Sequence, residues 1–216
     1  MVTGDQEETA RHIAEAVSLT GDNKPKVIYG PDLPSLQSAS AEEKEQMRKG
    51  DVFVRVTPEQ KLDLIELHQE KGSVVAMTGD GVNDAPALQE ADIGVAMGRR
   101  GTQVAREASD MILKDDAFST ILAAVEQGRV IFNNIRKFIL YLLSGNVSEI
   151  MVVGTALIFN MALPILPLQI LFLNLVLDVF PALALGLSKS EPEIMKKPPR
   201  PTGEAIIGTG HWFWIT

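Results

Sequence analysis

Asp80 and Asp84 stand four residues apart and bracket an amide, Asn83, in the string Met77-Thr78-Gly79-Asp80-Gly81-Val82-Asn83-Asp84-Ala85-Pro86-Ala87-Leu88. The string follows an apolar, strand-like run and opens a helical one. Gly79 and Gly81 allow the backbone to turn sharply there, which gathers both carboxylates above the end of a strand. A few hard oxygen donors suit Mg²⁺, which keeps its remaining positions for water and phosphate oxygens. Two more pieces fit phosphate chemistry. Thr3-Gly4-Asp5 precedes a helical run, Glu7 to Val17, and offers a hydroxyl and backbone N–H groups to phosphate oxygens. Lys61, one turn into a helix, supplies a point charge for a phosphoryl group. Taken singly, an Asp-Gly turn and a solvated lysine are ordinary features, but the twelve-residue string asks for more than a turn.

A second set of candidates lies in apolar surroundings. Glu149 is the only charged residue between Phe138 and Leu163, and Asp178 the only one between Pro164 and Ser188. Ionisable residues inside membrane-length segments are costly and mark function by default. Asn146 precedes Glu149 by three residues and Asn174 precedes Asp178 by four, so each amide shares a helix face with its carboxylate. If the two helices pack together, the four groups form an all-oxygen cluster for a hard cation such as Ca²⁺. A bland reading makes them polar contacts between helices. Pro164, Pro167 and Pro181 are expected to unwind the second helix and free carbonyls for ligation.

These residues need two kinds of scaffold. About 20 apolar residues span a bilayer as a helix, and both stretches are long enough. Asn160-Met161-Ala162-Leu163-Pro164 is the turn between them. Arg129, Arg136 and Lys137 precede the pair and Lys189, Lys196, Lys197 and Arg200 follow it, so both ends are expected on the cytoplasmic side. Upstream, short β-rich runs alternate with helical ones. Asp51 to Val56, Ser73 to Met77, Ile93 to Met97 and Met111 to Leu113 read as strands, the second of them buried. Helices are expected from Pro58, an N1 proline, and from Ala117 to Gln127, the latter running into the first apolar span as one stalk. Tyr29 to Gly50 reads as a surface loop and a solvated helix. Alternating strands and helices imply a parallel α/β sheet of Rossmann-like type, with its site beyond the carboxyl ends of the strands.

The chain has 216 residues, 20 Lys+Arg, 28 Asp+Glu and no Cys. Residues 1–128 carry a balance of −10 and residues 129–216 one of +2, which together make the net charge of −8. The acidic half lacks the basic stripe of a nucleic-acid binder, so no nucleic-acid partner is expected. Without thiolates there is no disulfide and no soft-metal site.

The string from Thr78 to Leu88 resembles the hinge motif of P-type ATPases, ion pumps that phosphorylate their own aspartate. Thr3-Gly4-Asp5 and Val54-Arg55-Val56-Thr57-Pro58-Glu59-Gln60-Lys61 are similar to that family's phosphorylation domain, of haloacid-dehalogenase type. Gly128 to Ile135 and Met195-Lys196-Lys197-Pro198-Pro199-Arg200 resemble the stalk and the loop after the sixth membrane helix. The subgroup resembled is the calcium-pump-like type II.

The resemblance implies residues 1–127 as part of the phosphorylation domain, 128–188 as stalk plus fifth and sixth membrane helices, and 189–216 as a cytoplasmic loop and the start of another membrane helix. It implies Mg²⁺ on Asp80, supported by Asn83 and Asp84, and a phosphoryl group held by Lys61, Thr3 and Gly4, with Asp5 beside them. It implies ATP as the energy source and a cation carried by Asn146, Glu149, Asn174 and Asp178: Ca²⁺ first, with Na⁺ or Mn²⁺ as alternatives. Here the sixth-helix pattern reads Asn174-Leu175-Val176-Leu177-Asp178. Leu177 stands where the family has Thr, which removes one oxygen ligand and implies a single-ion site or a different ion. The family's Asp-Lys-Thr-Gly string does not occur in the chain, and its nucleotide domain, Thr-Gly-Glu loop and first four membrane helices are also not among these residues. The expectation is therefore a fragment that hydrolyses no ATP alone and works with the lipid bilayer and the remaining pump domains, its phosphorylation domain cytoplasmic. Two other readings are a membrane-anchored phosphatase of haloacid-dehalogenase type and a non-catalytic, pump-derived membrane partner.

Overall fold

Short β-rich segments and amphipathic helices alternate along the first 118 residues because each strand is too short to stand without a covering helix. The computed structural model describes residues 1–21, 23–189, 191–201, 203–208 and 210. It divides into two compact units, Met1–Phe118 and Ser119–Thr216. The expected helix entry from Gly210 to Thr216 lies almost wholly outside the described residues.

In the first unit the elements run α1 (Glu7–Ala16), β1 (Val27–Tyr29), α2 (Ala41–Arg48), β2 (Val52–Val54), α3 (Pro58–Gln69), β3 (Ala76–Gly79), α4 (Ala85–Glu90), β4 (Ile93–Met97), α5 (Gln103–Glu107) and β5 (Met111–Leu113). All strand pairs are parallel, in the expected haloacid-dehalogenase-like α/β manner. They form two ladders, β1-β2 and β3-β4-β5. Val2 adds an isolated parallel bridge to Phe53 on β2. Among the described residues, no strand pairs with both ladders. α3 serves both instead. Its Leu64 and Leu67 join Leu36, Met47, Phe53 and Val56 in one buried cluster, while Ile65 packs with Ala87 and Ala91 of the β3 side.

Three local expectations change. Val27–Tyr29 forms a strand that the sequence did not single out, because three residues show too little alternation. The Tyr29–Gly50 segment is more than a surface loop: Leu36 and Met47 are buried in the core. The strand expected over Ser73–Met77 begins at Ala76. The Asp92 carboxylate takes the Val75 N–H (2.8 Å) and Val74 is exposed, so the ladder starts one residue later, pairing Ala76 with Ile93. β3 is also not a buried strand: Ala76 is exposed and the other three residues are only half-buried.

In the second unit α6 (Ser119–Ile158) is one helix of 40 residues, so the helix after Ala117 runs without a break into the first apolar stretch, as expected. The second stretch is α7 (Pro167–Leu173), a π-helical turn over Asn174–Asp178, and α8 (Val179–Gly186). The segments Ser119–Ile158 and Pro167–Gly186 are long and apolar enough to cross a membrane. The expected unwinding is absent, since the second stretch stays helical. Pro181 has no N–H for the carbonyl four residues back, and its ring crowds that carbonyl; a wider π turn takes up the mismatch. Pro167 sits harmlessly at the start of α7.

Candidate phosphate, metal and cation sites

The carboxyl end of β3 carries the first site. Gly79 closes the strand, and a Cβ placed on it would meet the Asp84 Cβ at 2.6 Å, so only glycine lets Asp84 fold back over the turn. Asp84 Oδ2 accepts the N–H groups of Asp80 (3.3 Å) and Gly81 (3.2 Å). Its Oδ1 accepts Lys61 Nζ at 2.6 Å. Lys61 is held by the start of α3, where Thr57 and Gln60 cap each other reciprocally and Pro58 fixes the first turn. Gln60 Nε2 also donates to the Gly30 carbonyl (2.7 Å), tying the helix start to the end of β1. Burial pushes the Asp84 carboxyl up, but the Lys61 ammonium and the Gly81 and Asp80 N–H groups outweigh it and hold it below the ordinary carboxylate range.

This arrangement separates the two carboxylates. Both oxygens of Asp84 are engaged in shaping the turn, whereas Asp80 is exposed. The Asp80 carbonyl accepts the Thr102 N–H at 2.8 Å, which leaves its carboxylate as the outward oxygen donor of the turn. Asn83 is exposed beside it. Among the described residues no three His, Cys, Asp or Glu gather as a metal cage. One outward carboxylate on a rigid turn fits Mg²⁺, which binds through one or two carboxylates and keeps its waters.

Thr3-Gly4-Asp5 lies at the carboxyl end of β2. Thr3 N–H donates to the Phe53 carbonyl (2.9 Å), and the N–H groups of Val56 and Arg55 donate back to the Thr3 (3.2 Å) and Asp5 (3.3 Å) carbonyls. Thr3 Oγ1 donates to Asp5 Oδ2 at 2.9 Å and accepts the Asp5 N–H at 3.1 Å. Gly4 is exposed. This loop and the Lys61–Asp84 pair share no hydrogen bond among the described residues, yet both sit at strand carboxyl ends, and the first turn of α3, which follows β2, carries Lys61.

The second unit holds the other candidates. A Cβ on Gly145 of α6 would lie 3.9 Å from Asp178 Oδ1, so the π turn directs Asp178 at α6 beside Asn146. Glu149 stands one turn farther along α6, and Glu149, Asn174 and Asp178 are all half-buried. Among the described residues the four candidates make no hydrogen bond to one another.

Residues 162–216 match a family model described as cation transporting ATPase, C-terminus, and residues 1–92 one described as haloacid dehalogenase-like hydrolase. The chain is 49% identical over 208 residues to a calcium-transporting ATPase of Bacillus subtilis, covering 96% of the chain and 23% of that relative. It is 44% identical over 208 residues to calcium-transporting ATPase 1 of Yarrowia lipolytica, covering 96% and 22%. It is 47% identical over 210 residues to the probable cation-transporting ATPase F of Mycobacterium tuberculosis, covering 96% and 23%. Over nearly its whole length the chain is similar to cation-transporting ATPases. It spans about a quarter of the length of the curated relatives it matches.

In this chain, a membrane protein by its similarities and its two long apolar helices, sequence reasoning overlooked several structural residues. Asn134 is buried and donates to the Gly186 (3.2 Å) and Ser188 (2.8 Å) carbonyls, capping α8. Arg129 donates to the Ile194 (2.9 Å) and Lys197 (2.8 Å) carbonyls, and Glu191 bridges Lys137 (2.7 Å) and Lys197 (3.0 Å). Lys137 and then Lys197 hold the Glu191 carboxyl down to about 2. These contacts strap the loop after α8 onto α6. The polar repeat Asn133-Asn134 inside an apolar helix was the available signal.

Proposed function

We propose that the chain is the segment of an ATP-driven pump that carries the Mg²⁺-binding turn and part of the cation pathway. In the whole pump an aspartate outside these residues would take the γ-phosphoryl group of ATP, and the energy would move a cation, Ca²⁺ first, across a bilayer. The domain roles follow: residues 1–127 complete the phosphorylation domain on the cytoplasmic side, 128–188 form stalk and two membrane helices, and 189–216 lead on to the next.

The observation that carries this reading is the division of labour on the β3 turn. Asp84 spends its oxygens on Lys61 and two backbone N–H groups, which holds Asp80 outward and rigid. Asp80 would hold Mg²⁺, whose charge when bound neutralises phosphoryl oxygens. Lys61 would offer its remaining N–H groups to the same oxygens, Thr3 and Gly4 would orient them, and Asp5 would fix the Thr3 hydroxyl. Phosphoryl transfer asks for such positioning and charge more than for covalent chemistry by these residues. In the membrane, Asp178, Asn146, Glu149 and Asn174 would supply hard oxygens to the cation.

A chimera tests the reading. Residues 1–216 replace the matching segment of the Bacillus subtilis calcium-transporting ATPase, and ATP-dependent Ca²⁺ uptake into vesicles is measured. Uptake is expected, with loss of Mg²⁺-dependent turnover in Asp80→Asn and loss of Ca²⁺ stimulation in Glu149→Gln and Asp178→Asn. A correctly inserted chimera whose Ca²⁺ response survives both membrane substitutions would overturn the cation assignment, and Na⁺ and Mn²⁺ would then be tried.

A further inference from the structure

Asp116 has features that no step above uses. It follows β5 with a left-handed backbone (φ 55°), a conformation that a non-glycine residue holds only when its surroundings enforce it. Its side chain is 9% exposed, and it bonds to a distant loop. Oδ1 accepts the Arg99 N–H at 2.9 Å and Oδ2 the Arg100 N–H at 3.0 Å, with Arg100 Nε 3.5 Å from Oδ2. The same loop is fixed from other sides. Gly98 N–H donates to the Leu113 carbonyl (2.9 Å), Arg106 to the Gly98 carbonyl (2.9 Å) and Arg99 Nε to the Lys114 carbonyl (3.2 Å). A Cβ on Gly101 would run into the Met97 carbonyl, so the loop turns as tightly as glycine allows. At its far end Thr102 donates its N–H to the Asp80 carbonyl at 2.8 Å and caps α5 through Oγ1 (3.3 Å to Ala105 N).

A continuous chain of bonds therefore leads from the Asp116 carboxylate, through the backbone of Arg99 to Thr102, to the backbone of Asp80. The Arg99 N–H first, with those of Arg100 and Gly98 and the Arg100 guanidinium, keeps the Asp116 carboxyl ionised below the ordinary range against its partial burial, so the anchor stays charged near neutral pH.

We propose that Asp116 is a positioning residue for the Asp80 turn: it clamps the Gly98–Thr102 loop, and that loop sets the direction in which Asp80 presents its carboxylate to a divalent cation. The proposal rests on the reading of Asp80 as the Mg²⁺ ligand. Asp116 touches neither metal nor phosphate. It acts through the loop as outer-shell partners act on metal ligands elsewhere. It ends the β-rich unit two residues before that unit's last residue, Phe118, so the same side chain marks where the sheet hands over to α6.

The test uses the whole chain in detergent, with Mn²⁺ as the probe, its binding followed by electron paramagnetic resonance, and amide hydrogen exchange followed by mass spectrometry. Asp116→Asn keeps a residue that tolerates positive φ but loses charge and one good acceptor; Asp116→Gly removes the carboxylate and eases the backbone. Both variants are expected to speed exchange at Arg99, Arg100 and Thr102 by about tenfold or more and to weaken Mn²⁺ binding by about three- to tenfold. Exchange at Val95 and Ala96 of β4 should stay unchanged, and Asp116→Gly should be the more affected. Loosening of the loop with unchanged Mn²⁺ affinity would overturn the proposal, as would an unmoved loop. Exchange that rises throughout β4 in both variants would also overturn it, in favour of a purely structural role. Asp80→Asn separates the two readings: if it leaves Mn²⁺ binding intact, the metal assignment fails, whatever Asp116 does to the loop.

Discussion

Removing the ammonium of Lys61 should reverse the sign of the Asp84 contribution. The ion pair is 2.6 Å long, with side chains 16% and 14% exposed. Breaking a fully buried pair by deleting one partner costs about 3–5 kcal/mol. Asp84 keeps two N–H donors and some contact with water, so about half of that, near 2 kcal/mol, is expected for Lys61→Met. The pH response gives a second handle. In the native chain the Asp84 carboxyl lies below its unfolded value, so its stabilisation is complete above that value and is lost as pH falls through the lower, folded one. Without Lys61 the largest influence left is burial, which raises the carboxyl. The variant should therefore be worst near neutrality and recover relative to the native chain as acid neutralises Asp84. The assay is amide exchange of β3 and β4 in the full chain, for Lys61→Met, Asp84→Asn and the double variant. A coupling of at least about 1 kcal/mol is expected. Coupling below about 0.3 kcal/mol, the scatter for independent sites, or a variant that loses stability faster in acid than the native chain, would refute the reasoning.

Gly79→Ala should force Asp84 off the turn and cost about 1–3 kcal/mol, read as faster exchange at Gly81 with β1 and β2 unaffected. Glu191→Gln should free the loop after α8 from Lys137 and Lys197, seen as protease cleavage between Glu191 and Lys197. In the native chain the same release should come only in acid, as pH falls from the ordinary 4.5 towards about 2, because the stabilisation of a lowered carboxyl is present above the ordinary value and vanishes through the folded one. Asn134→Leu should leave the α8 carbonyls without their donors and lower the thermal midpoint in detergent, corresponding to about 1–3 kcal/mol. Purified alone with Mg²⁺ and ATP, the chain should release no phosphate; steady turnover abolished by Asp80→Asn would contradict that.

The twelve-residue string was legible because its chemistry is local: glycines, carboxylates and an amide sit within one turn, and the structure places them at the end of β3. The apolar stretches were legible for the same reason, since length and absence of charge are summed along the chain. What sequence could not show was acids acting at a distance. Asp51 accepts the Lys26 N–H, Asp92 that of Val75, Asp110 that of Gly94 and Asp116 those of Arg99 and Arg100. These four aspartates of the first unit thus staple backbone, across separations that no period in the sequence records. The π turn was hidden too, because Pro181 announces a disturbed helix without saying whether the helix opens or widens. Val27–Tyr29 escaped because three residues carry no readable alternation, and its strand exists only through β2.

The unbroken α6 has a mechanical consequence. Its 40 residues make a rod about 60 Å long at 1.5 Å per residue, about twice the 30 Å thickness of bilayer hydrocarbon. A rod of that length magnifies angle into travel: a tilt of about 5° at one end carries the other about 5 Å, close to one full helical turn. Glu149, about three-quarters of the way along the rod from its Ser119 end, moves about three-quarters as far when the pivot is at that end. Small rearrangements at one end of such a lever are large enough at the other to take an oxygen out of bonding distance of an ion, and the lever itself need not bend.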